Sequence, residues 1–125
     1  MKARVLLIED NEQNRYLATF LLERNGFEVI SAQDGVRGIE LAREIDPDVI
    51  LLDIQLPGMN GYQVAEALRR LPQLDARAIV AVTSYAMVGD REKAIDAGCN
   101  GYIEKPIDPD NFVAQVMHFV KEQSS

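Results

Sequence analysis

The chain has 125 residues, enough for one domain with a real hydrophobic core. Apolar residues make up 47% of it, charged residues 26%, and the formal net charge is −7. This acidic balance argues against a nucleic-acid-binding surface, which needs clustered Lys and Arg. No apolar run approaches the roughly 18 residues of a membrane span, no signal peptide precedes the first strand, and the lone Cys99 fits a reducing cytosol. We therefore expect a cytoplasmic module with no nucleic-acid and no membrane partner.

Five short runs of mainly apolar residues predict β-strands. In chain order they span residues 4–8, 27–31, 49–53, 78–82 and 101–104. The run from Val49 to Leu52 is wholly apolar, which is typical of a strand buried on both faces of a parallel sheet covered by helices. The same run then ends abruptly in the carboxylate of Asp53.

Helical spacing of apolar residues follows each strand. The first predicted helix ends at Gly26 and has the apolar stripe Leu17, Ala18, Leu21 and Leu22. The second spans 34–45, and the third ends near Pro72. The fourth spans 86–97, is poor in large apolar residues and has Gly89 inside it. The last carries the apolar stripe Phe112, Val113, Val116, Phe119 and Val120.

Strand and helix thus alternate five times without a repeat or a linker. The alternation predicts one α/β domain over residues 1–125, a doubly wound parallel sheet with helices on both faces. Its size favours the flavodoxin-like (βα)5 arrangement with strand order 2-1-3-4-5.

Polar side chains follow the strands at the edge where such sheets bind ligands. They are Glu9, Asp10, Asp53, Thr83 and Lys105. Two unit charges about 4 Å apart repel by roughly 4 kcal/mol at an effective dielectric constant near 20, so three carboxylates need a counter-charge. A hard divalent cation with oxygen ligands supplies it, and Mg²⁺, which keeps several waters, suits so few protein ligands.

Each of these residues also has an ordinary structural explanation. Glu9 and Asp10 could begin the first helix, Asp53 could open a turn or cap a helix, and Thr83 could be a cap. Lys105 could be a solvated lysine. Their arrival at one edge of one sheet favours a common site over five separate explanations.

Five sequence pieces carry a resemblance to a known family. They are VLLIEDN at 5–11, DVILLD at 48–53, LPGMNG at 56–61, VAVT at 80–83, and Ala97-Gly98 followed by Tyr102 and Lys105-Pro106. Along its full length the chain resembles the CheY-like receiver domains of response regulators. Within that family it is similar to stand-alone regulators of the DivK type and to receivers attached to hybrid histidine kinases.

The resemblance implies a phosphoryl-acceptor site. Asp53 would accept the phosphoryl group from a histidine kinase or a histidine phosphotransfer domain. Glu9 and Asp10 would bind Mg²⁺ together with Asp53 and the backbone carbonyl of Gln55. Lys105 would bind the phosphoryl oxygens.

The resemblance also implies a switch and a means of tuning it. The hydroxyl of Thr83 would shift toward the phosphoryl group and Tyr102 would turn inward, so that the surface formed by the fourth helix, fifth strand and fifth helix changes for a downstream protein. Gln55 and Tyr85 would tune the lifetime of the phosphoryl group. The Lys105–Pro106 peptide bond would be cis. Tyr102 could instead be a half-buried aromatic residue of a strand.

Tyr16 and Phe20 lie one turn apart on the first helix, off its predicted core stripe. An exposed aromatic pair can mark a partner surface, and we interpret it as a dock for the phosphohistidine-bearing partner. The two rings could instead cover the edge of the core.

We interpret the sequence as that of a single-domain signalling protein that catalyses only its own phosphorylation and dephosphorylation. A receiver excised from a hybrid kinase is the alternative. A flavodoxin-like FMN carrier needs a phosphate-binding loop after the first strand, where this chain has the acidic residues 9–12. An aspartyl phosphatase would have a second Asp two residues after the first, where this chain has Gln55.

Overall fold

The computed structural model describes residues 2–56, 58–83 and 89–124, and of 121–124 only the backbone. Strands and helices alternate along the described chain. They are β1 (Arg4–Ile8), α1 (Glu12–Arg24), β2 (Glu28–Ala32), α2 (Gly35–Ile45), β3 (Val49–Asp53), α3 (Gly61–Arg69), a 3₁₀ helix (Pro72–Leu74), β4 (Ala78–Thr83), α4 (Asp90–Asp96), β5 (Gly101–Glu104) and α5 (Phe112–Ser124).

The five strands form one parallel sheet in the order β2-β1-β3-β4-β5. The predicted flavodoxin-like topology is therefore confirmed. In this register Ile8 lies beside Leu52, so that β1 and β3 end next to each other at the centre of the sheet. The chain reverses its strand order at this point, and a crevice forms there in doubly wound sheets.

Two apolar layers cover the sheet. Ala18 and Leu22 of α1 pack with Phe112 and Val116 of α5 on one face. Helices α2, α3 and α4 cover the other face. All five residues of β3 are buried, because this central strand has a layer on each side. None of the helices in the described residues is long and apolar enough to cross a lipid bilayer.

The structure corrects three details of the predicted elements. Leu17, predicted in the core stripe of α1, is 36% exposed, because Ala18 and Leu22 are the α1 residues that point fully into the sheet. Strand β2 runs from Glu28 to Ala32, one residue later than predicted. Helix α3 ends at Arg69, before the 3₁₀ helix that Pro72 opens.

Gly89 is not inside a helix. It lies at the N-cap position of α4 with φ of +96°, a left-handed conformation that a right-handed helix cannot contain. Helix α4 therefore begins at Asp90, and the predicted helical residues 86–88 lie outside the described part of the chain.

Candidate functional site

The ends of β1 and β3 bring three carboxylates together. Glu9 and Asp53 are each only 3% exposed, whereas Asp10 is exposed to solvent. One oxygen from each of the three lies within 4.8 Å of the others. This acidic cluster is the arrangement expected for a cation with oxygen ligands.

Lys105 joins the cluster from the end of β5. Its Nζ lies 2.8 Å from Oε1 of Glu9 and 3.1 Å from Oδ2 of Asp53, and its side chain is largely buried. The backbone N–H of Lys105 donates to the carbonyl of Thr83 at 2.7 Å, and the Lys105–Pro106 peptide bond is cis. The ammonium group is thus held between two carboxylates from neighbouring strands.

The cluster carries more negative than positive charge, and the pKa values respond. The pKa of Glu9 is raised to about 7, first by burial and then by the neighbouring Asp53, although Lys105 opposes the shift. Burial alone would lower the pKa of Lys105, but its contacts with Glu9 and Asp53 outweigh that and raise it. Lys105 therefore stays charged, while Glu9 takes up a proton more readily than an exposed glutamate.

Gln55 contacts both Asp53 and Thr83. Its backbone N–H donates to Oδ1 of Asp53 at 2.9 Å, and its side-chain Nε2 donates to Oγ1 of Thr83 at 3.3 Å. Thr83 is 2% exposed and lies at the end of β4, one residue beyond Val82, which pairs with Asp53. The predicted acceptor and the predicted switch hydroxyl are therefore linked through one residue.

The turn after β1 is held by two residues that the sequence does not mark as functional. The backbone N–H of Asn11 donates to Oε2 of Glu9 at 3.1 Å, and its side chain caps α1. Arg15 donates from Nη1 to the carbonyls of Glu9 and Asp10 at 3.0 and 3.4 Å. Asn before a helix is a recognisable cap signal, whereas nothing distinguishes Arg15 from any other half-exposed helical arginine.

The predicted switch and tuning residues are only partly described. Tyr102 is partly buried and packs against the apolar layer of α2, α3 and α4. Its pKa is raised by burial and by the nearby carboxylates of Asp90 and Glu104. Tyr85 lies outside the described residues.

Tyr16 and Phe20 are exposed on α1, at 73% and 46%. Their rings stack with centroids 6.4 Å apart, and the guanidinium of Arg24 lies 5.8 Å from the centroid of Phe20. Tyr16 also lines a surface groove with Glu12 and Arg15, and Arg15 contacts the carbonyls of Glu9 and Asp10. The two rings do not cover the core.

The comparisons with known proteins agree on one family. The model of the response regulator receiver domain matches residues 5–117. The polar-differentiation response regulator DivK of Brucella ovis is 39% identical over 120 residues, which cover 96% of this chain and 98% of that protein.

Two solved structures have the same architecture. A CheY-like response regulator receiver domain protein from Methanospirillum hungatei JF-1 superposes with a TM-score of 0.92 at 26% identity, covering 99% of this chain and 98% of that one. The receiver domain of the sensor histidine kinase PA1611 from Pseudomonas aeruginosa PAO1, with a magnesium ion coordinated in its active-site cleft, superposes with a TM-score of 0.89 at 29% identity. The coverage is 97% of this chain and 99% of that one. With this fold and this family match, the chain belongs to the response regulator receiver domains of two-component signal transduction.

Proposed function

We propose that this chain, as one domain over residues 1–125, accepts a phosphoryl group on Asp53 in a Mg²⁺-dependent reaction in the cytoplasm. The observation that carries the proposal is the convergence of Glu9, Asp10 and Asp53 on one point, with Lys105 in contact with two of them. The donor is a phosphohistidine of a histidine kinase or phosphotransfer domain, or a small acyl phosphate. The protein acts as a switch and has no separate substrate.

The residues of the cluster can hold Mg²⁺. Glu9, Asp10 and Asp53 offer carboxylate oxygens, and the backbone carbonyl of Gln55 is a fourth ligand that family membership suggests. When bound, Mg²⁺ supplies positive charge that offsets repulsion between the carboxylates and the incoming phosphoryl group. Carboxylate and carbonyl oxygens are the ligands that this hard cation prefers.

Phosphoryl transfer then needs mainly positioning and charge stabilisation. A carboxylate oxygen of Asp53 attacks phosphorus, and the bond from phosphorus to the histidine nitrogen, or to the acyl oxygen, breaks with its electron pair on the leaving group. Lys105, already at 3.1 Å from Asp53, is placed to pair with the phosphoryl oxygens. Later attack by water on phosphorus breaks the phosphorus–Asp53 bond and releases inorganic phosphate, which returns Asp53 to its carboxylate.

Phosphorylation replaces the single negative charge of the Asp53 carboxylate by a phosphoryl group with a charge of nearly −2 and three acceptor oxygens, and this change is the input to the switch. Thr83 lies at the end of the strand next to Asp53, so its hydroxyl is a ready donor to the phosphoryl oxygens. Tyr102 packs against the apolar layer of α2, α3 and α4, lies near Asp90 of α4 and borders a surface groove with His118 and Phe119 of α5. A shift of Thr83 and Tyr102 would therefore change the face formed by α4, β5 and α5, which we assign to the downstream protein target. We further propose that Gln55 and Tyr85 tune the phosphoryl lifetime, although Tyr85 lies outside the described residues.

Two forms of this function differ only in context. The similarity to DivK over 98% of that protein's length supports a stand-alone regulator. The similarity to the receiver of a sensor histidine kinase supports the alternative, a receiver that belongs to a hybrid kinase. The chemistry at Asp53 is the same in both.

The acceptor assignment is tested with acetyl phosphate as the donor. We expect wild-type protein incubated with Mg²⁺ to gain the mass of one phosphoryl group, and peptide mapping to place it on Asp53. Asp53→Asn should gain none, because the amide is not a nucleophile. The matched control is Asp75→Asn, an exposed aspartate before β4 at the opposite edge of the sheet. Modification that survives Asp53→Asn, or that proceeds equally with a chelator, would reject the assignment.

Substitution of the exposed residues Tyr16 and Phe20 tests the proposed docking surface for the phosphohistidine-bearing partner. Removing both rings should slow transfer from a phosphorylated histidine phosphotransfer protein by about tenfold or more, because central aromatic residues dominate such interfaces. Transfer from acetyl phosphate should not change, since Asp53 and its neighbours stay in place. Met117→Ala on α5, another exposed apolar side chain, is the control. Equal rates for Tyr16→Ala/Phe20→Ala and wild type with the protein donor would rule out this surface.

A further inference from the structure

The side chain of Gln55 makes a contact that the phosphoryl-acceptor chemistry does not require. Its Nε2 donates to Oγ1 of Thr83 at 3.3 Å, from the loop after β3 to the end of β4. At the same time its backbone N–H holds Oδ1 of Asp53 at 2.9 Å. Gln55 therefore positions the acceptor with its backbone and the neighbouring hydroxyl with its amide.

The contact with Thr83 fixes the position of Oγ1, which accepts from the Gln55 amide, while the hydroxyl proton would go to a group on Asp53. The two interactions therefore compete for the position of the oxygen and not for the same hydrogen-bonding site. Oγ1 of Thr83 receives the Gln55 amide in the unmodified protein and is almost wholly buried, at 2% exposure. Anionic phosphoryl oxygens form hydrogen bonds roughly twice as strong as neutral ones, so they can draw the hydroxyl away. We expect a hydroxyl that moves toward them to lengthen or give up its bond to Gln55.

We propose that Gln55 is a positioning residue whose side-chain amide holds Thr83 in the unmodified arrangement and so sets how easily the switch responds to a group on Asp53. This inference rests on the proposed function, because it assigns a cost to the movement of Thr83. It predicts that a side chain of equal length at position 55, but without the amide, makes it easier for Thr83 to move toward a group on Asp53. The expected gain in affinity for a phosphoryl mimic is about two- to fivefold, the size of one neutral hydrogen bond.

The first test uses unmodified protein and so does not depend on phosphorylation. Three-bond couplings from the Thr83 methyl carbon to its backbone nitrogen and carbonyl carbon report the χ1 rotamer. We expect a single rotamer in wild type and averaged couplings in Gln55→Met. Gln63→Met is the matched control, because Gln63 also loses an amide hydrogen bond, in the capping box of α3, without touching Thr83. Averaging already present in wild type, or couplings unchanged in Gln55→Met, would overturn the proposal.

The second test is a double-mutant cycle in which the affinity for trifluoroberyllate, a mimic of a phosphoryl group, is measured by titration in the presence of Mg²⁺. Gln55→Met should bind trifluoroberyllate about two- to fivefold more tightly than wild type, and should make no difference in a Thr83→Val background, where the hydroxyl is gone. Weaker or equal binding in Gln55→Met, or a gain in affinity that persists in the Thr83→Val background, would refute the proposal that the Gln55 amide holds Thr83. If wild type binds no trifluoroberyllate, or Asp53→Asn still binds it, the acceptor assignment fails instead, and the rotamer measurement alone decides the role of Gln55.

Discussion

Glu9 is the residue in which the electrostatics of the cluster are most visible. It is buried beside Asp53 and touches Lys105 at 2.8 Å, and burial raises its pKa from an ordinary 4.5 to about 7. The ion pair with Lys105 lowers that pKa but does not cancel the cost of burying a carboxylate next to another one. Glu9 therefore connects the stability of the fold to pH.

This connection has a definite sign. Because the folded pKa lies above the unfolded value, the contribution of Glu9 to stability is fully present below pH 4.5 and is lost as the pH rises through about 7. In a Mg²⁺-free buffer, the free energy of unfolding measured with urea should fall by about 2 kcal/mol between roughly pH 5 and pH 8. Glu9→Gln should flatten that slope, whereas Glu12→Gln, at an exposed acid of the first turn of α1, should leave it unchanged. The same slope in Glu9→Gln and in wild type would contradict the assignment of the proton to Glu9.

The contacts around these residues could be predicted from the sequence to different degrees. The convergence of Glu9, Asp53 and Lys105 could be predicted from their positions at strand ends, because parallel strands place their carboxyl ends at one edge of the sheet. The direct ion pairs of Lys105 with both carboxylates, and the bond from Gln55 to Thr83, depend on side-chain rotamers. Such rotamers leave no signal in residue type or spacing.

At the scale of single elements, the start of α3 lies unusually close to the end of β3. The N–H of Gly61 donates to the carbonyl of Ile54 at 2.9 Å. A Cβ at position 61 would lie 2.4 Å from Cα of Ile54 and 2.9 Å from the carbonyl oxygen of Asp53. Only glycine permits this approach, which holds the segment after Asp53 against α3.

Gly61→Ala should therefore disturb both stability and the site. The added methyl group meets backbone, so the loop after Asp53 must shift, at a cost of about 1–3 kcal/mol in unfolding free energy. Mg²⁺ affinity should fall as well, because Asp53 and the carbonyl of Gln55 move with that loop. Asn60→Ala is the control, because it removes the capping box of the same helix and lowers the unfolding free energy by about 1 kcal/mol without crowding Ile54. Its Mg²⁺ affinity should therefore match that of wild type. An equal Mg²⁺ affinity in Gly61→Ala would show that the close approach does not position the site.

Element boundaries were predicted well where buried apolar runs set them and poorly where backbone conformation did. Strands β1, β3 and β5 have the predicted limits, since their apolar runs leave little freedom. Gly89 was wrongly placed inside a helix, because a glycine with positive φ and one within a helix look the same in a sequence. Leu17 was wrongly placed in the core, because the apolar stripe of α1 is narrower than its four apolar residues suggest.

For the whole molecule, the order of the strands determines where chemistry can occur. The central pair β1 and β3 ends between the two apolar layers, so its carboxylates are partly withdrawn from water and repel one another strongly. On one side of that crevice, Tyr16 of α1 lies in a groove beside Arg15, which contacts the turn after β1. On the other side, Thr83 lies at the end of β4 and Tyr102 in the neighbouring β5. We therefore propose that the input surface, the site and the output surface follow one another across the carboxyl edge of the sheet.

The family could be predicted from the sequence because its motifs coincide with those strand ends. Each motif is short and weak by itself, but the polar residues of four of them, Glu9 with Asp10, Asp53, Thr83 and Lys105, fall at the carboxyl edge of a sheet whose order the alternation of elements already implied. We propose that surface side chains such as Tyr16 and Phe20 determine which kinase binds, and such exposed residues follow no comparable spacing rule.

The central claim, that Glu9, Asp10 and Asp53 form one cation site, is tested most directly by a Mg²⁺ titration followed through backbone amide signals at about pH 8. We expect saturable shifts concentrated in residues 9–11, 53–55 and 105, with affinity at least about tenfold weaker in Asp10→Asn and unchanged in Asp75→Asn. Shifts that do not saturate, that spread evenly over the acidic surface, or that are equal in Asp10→Asn and wild type would contradict the claim.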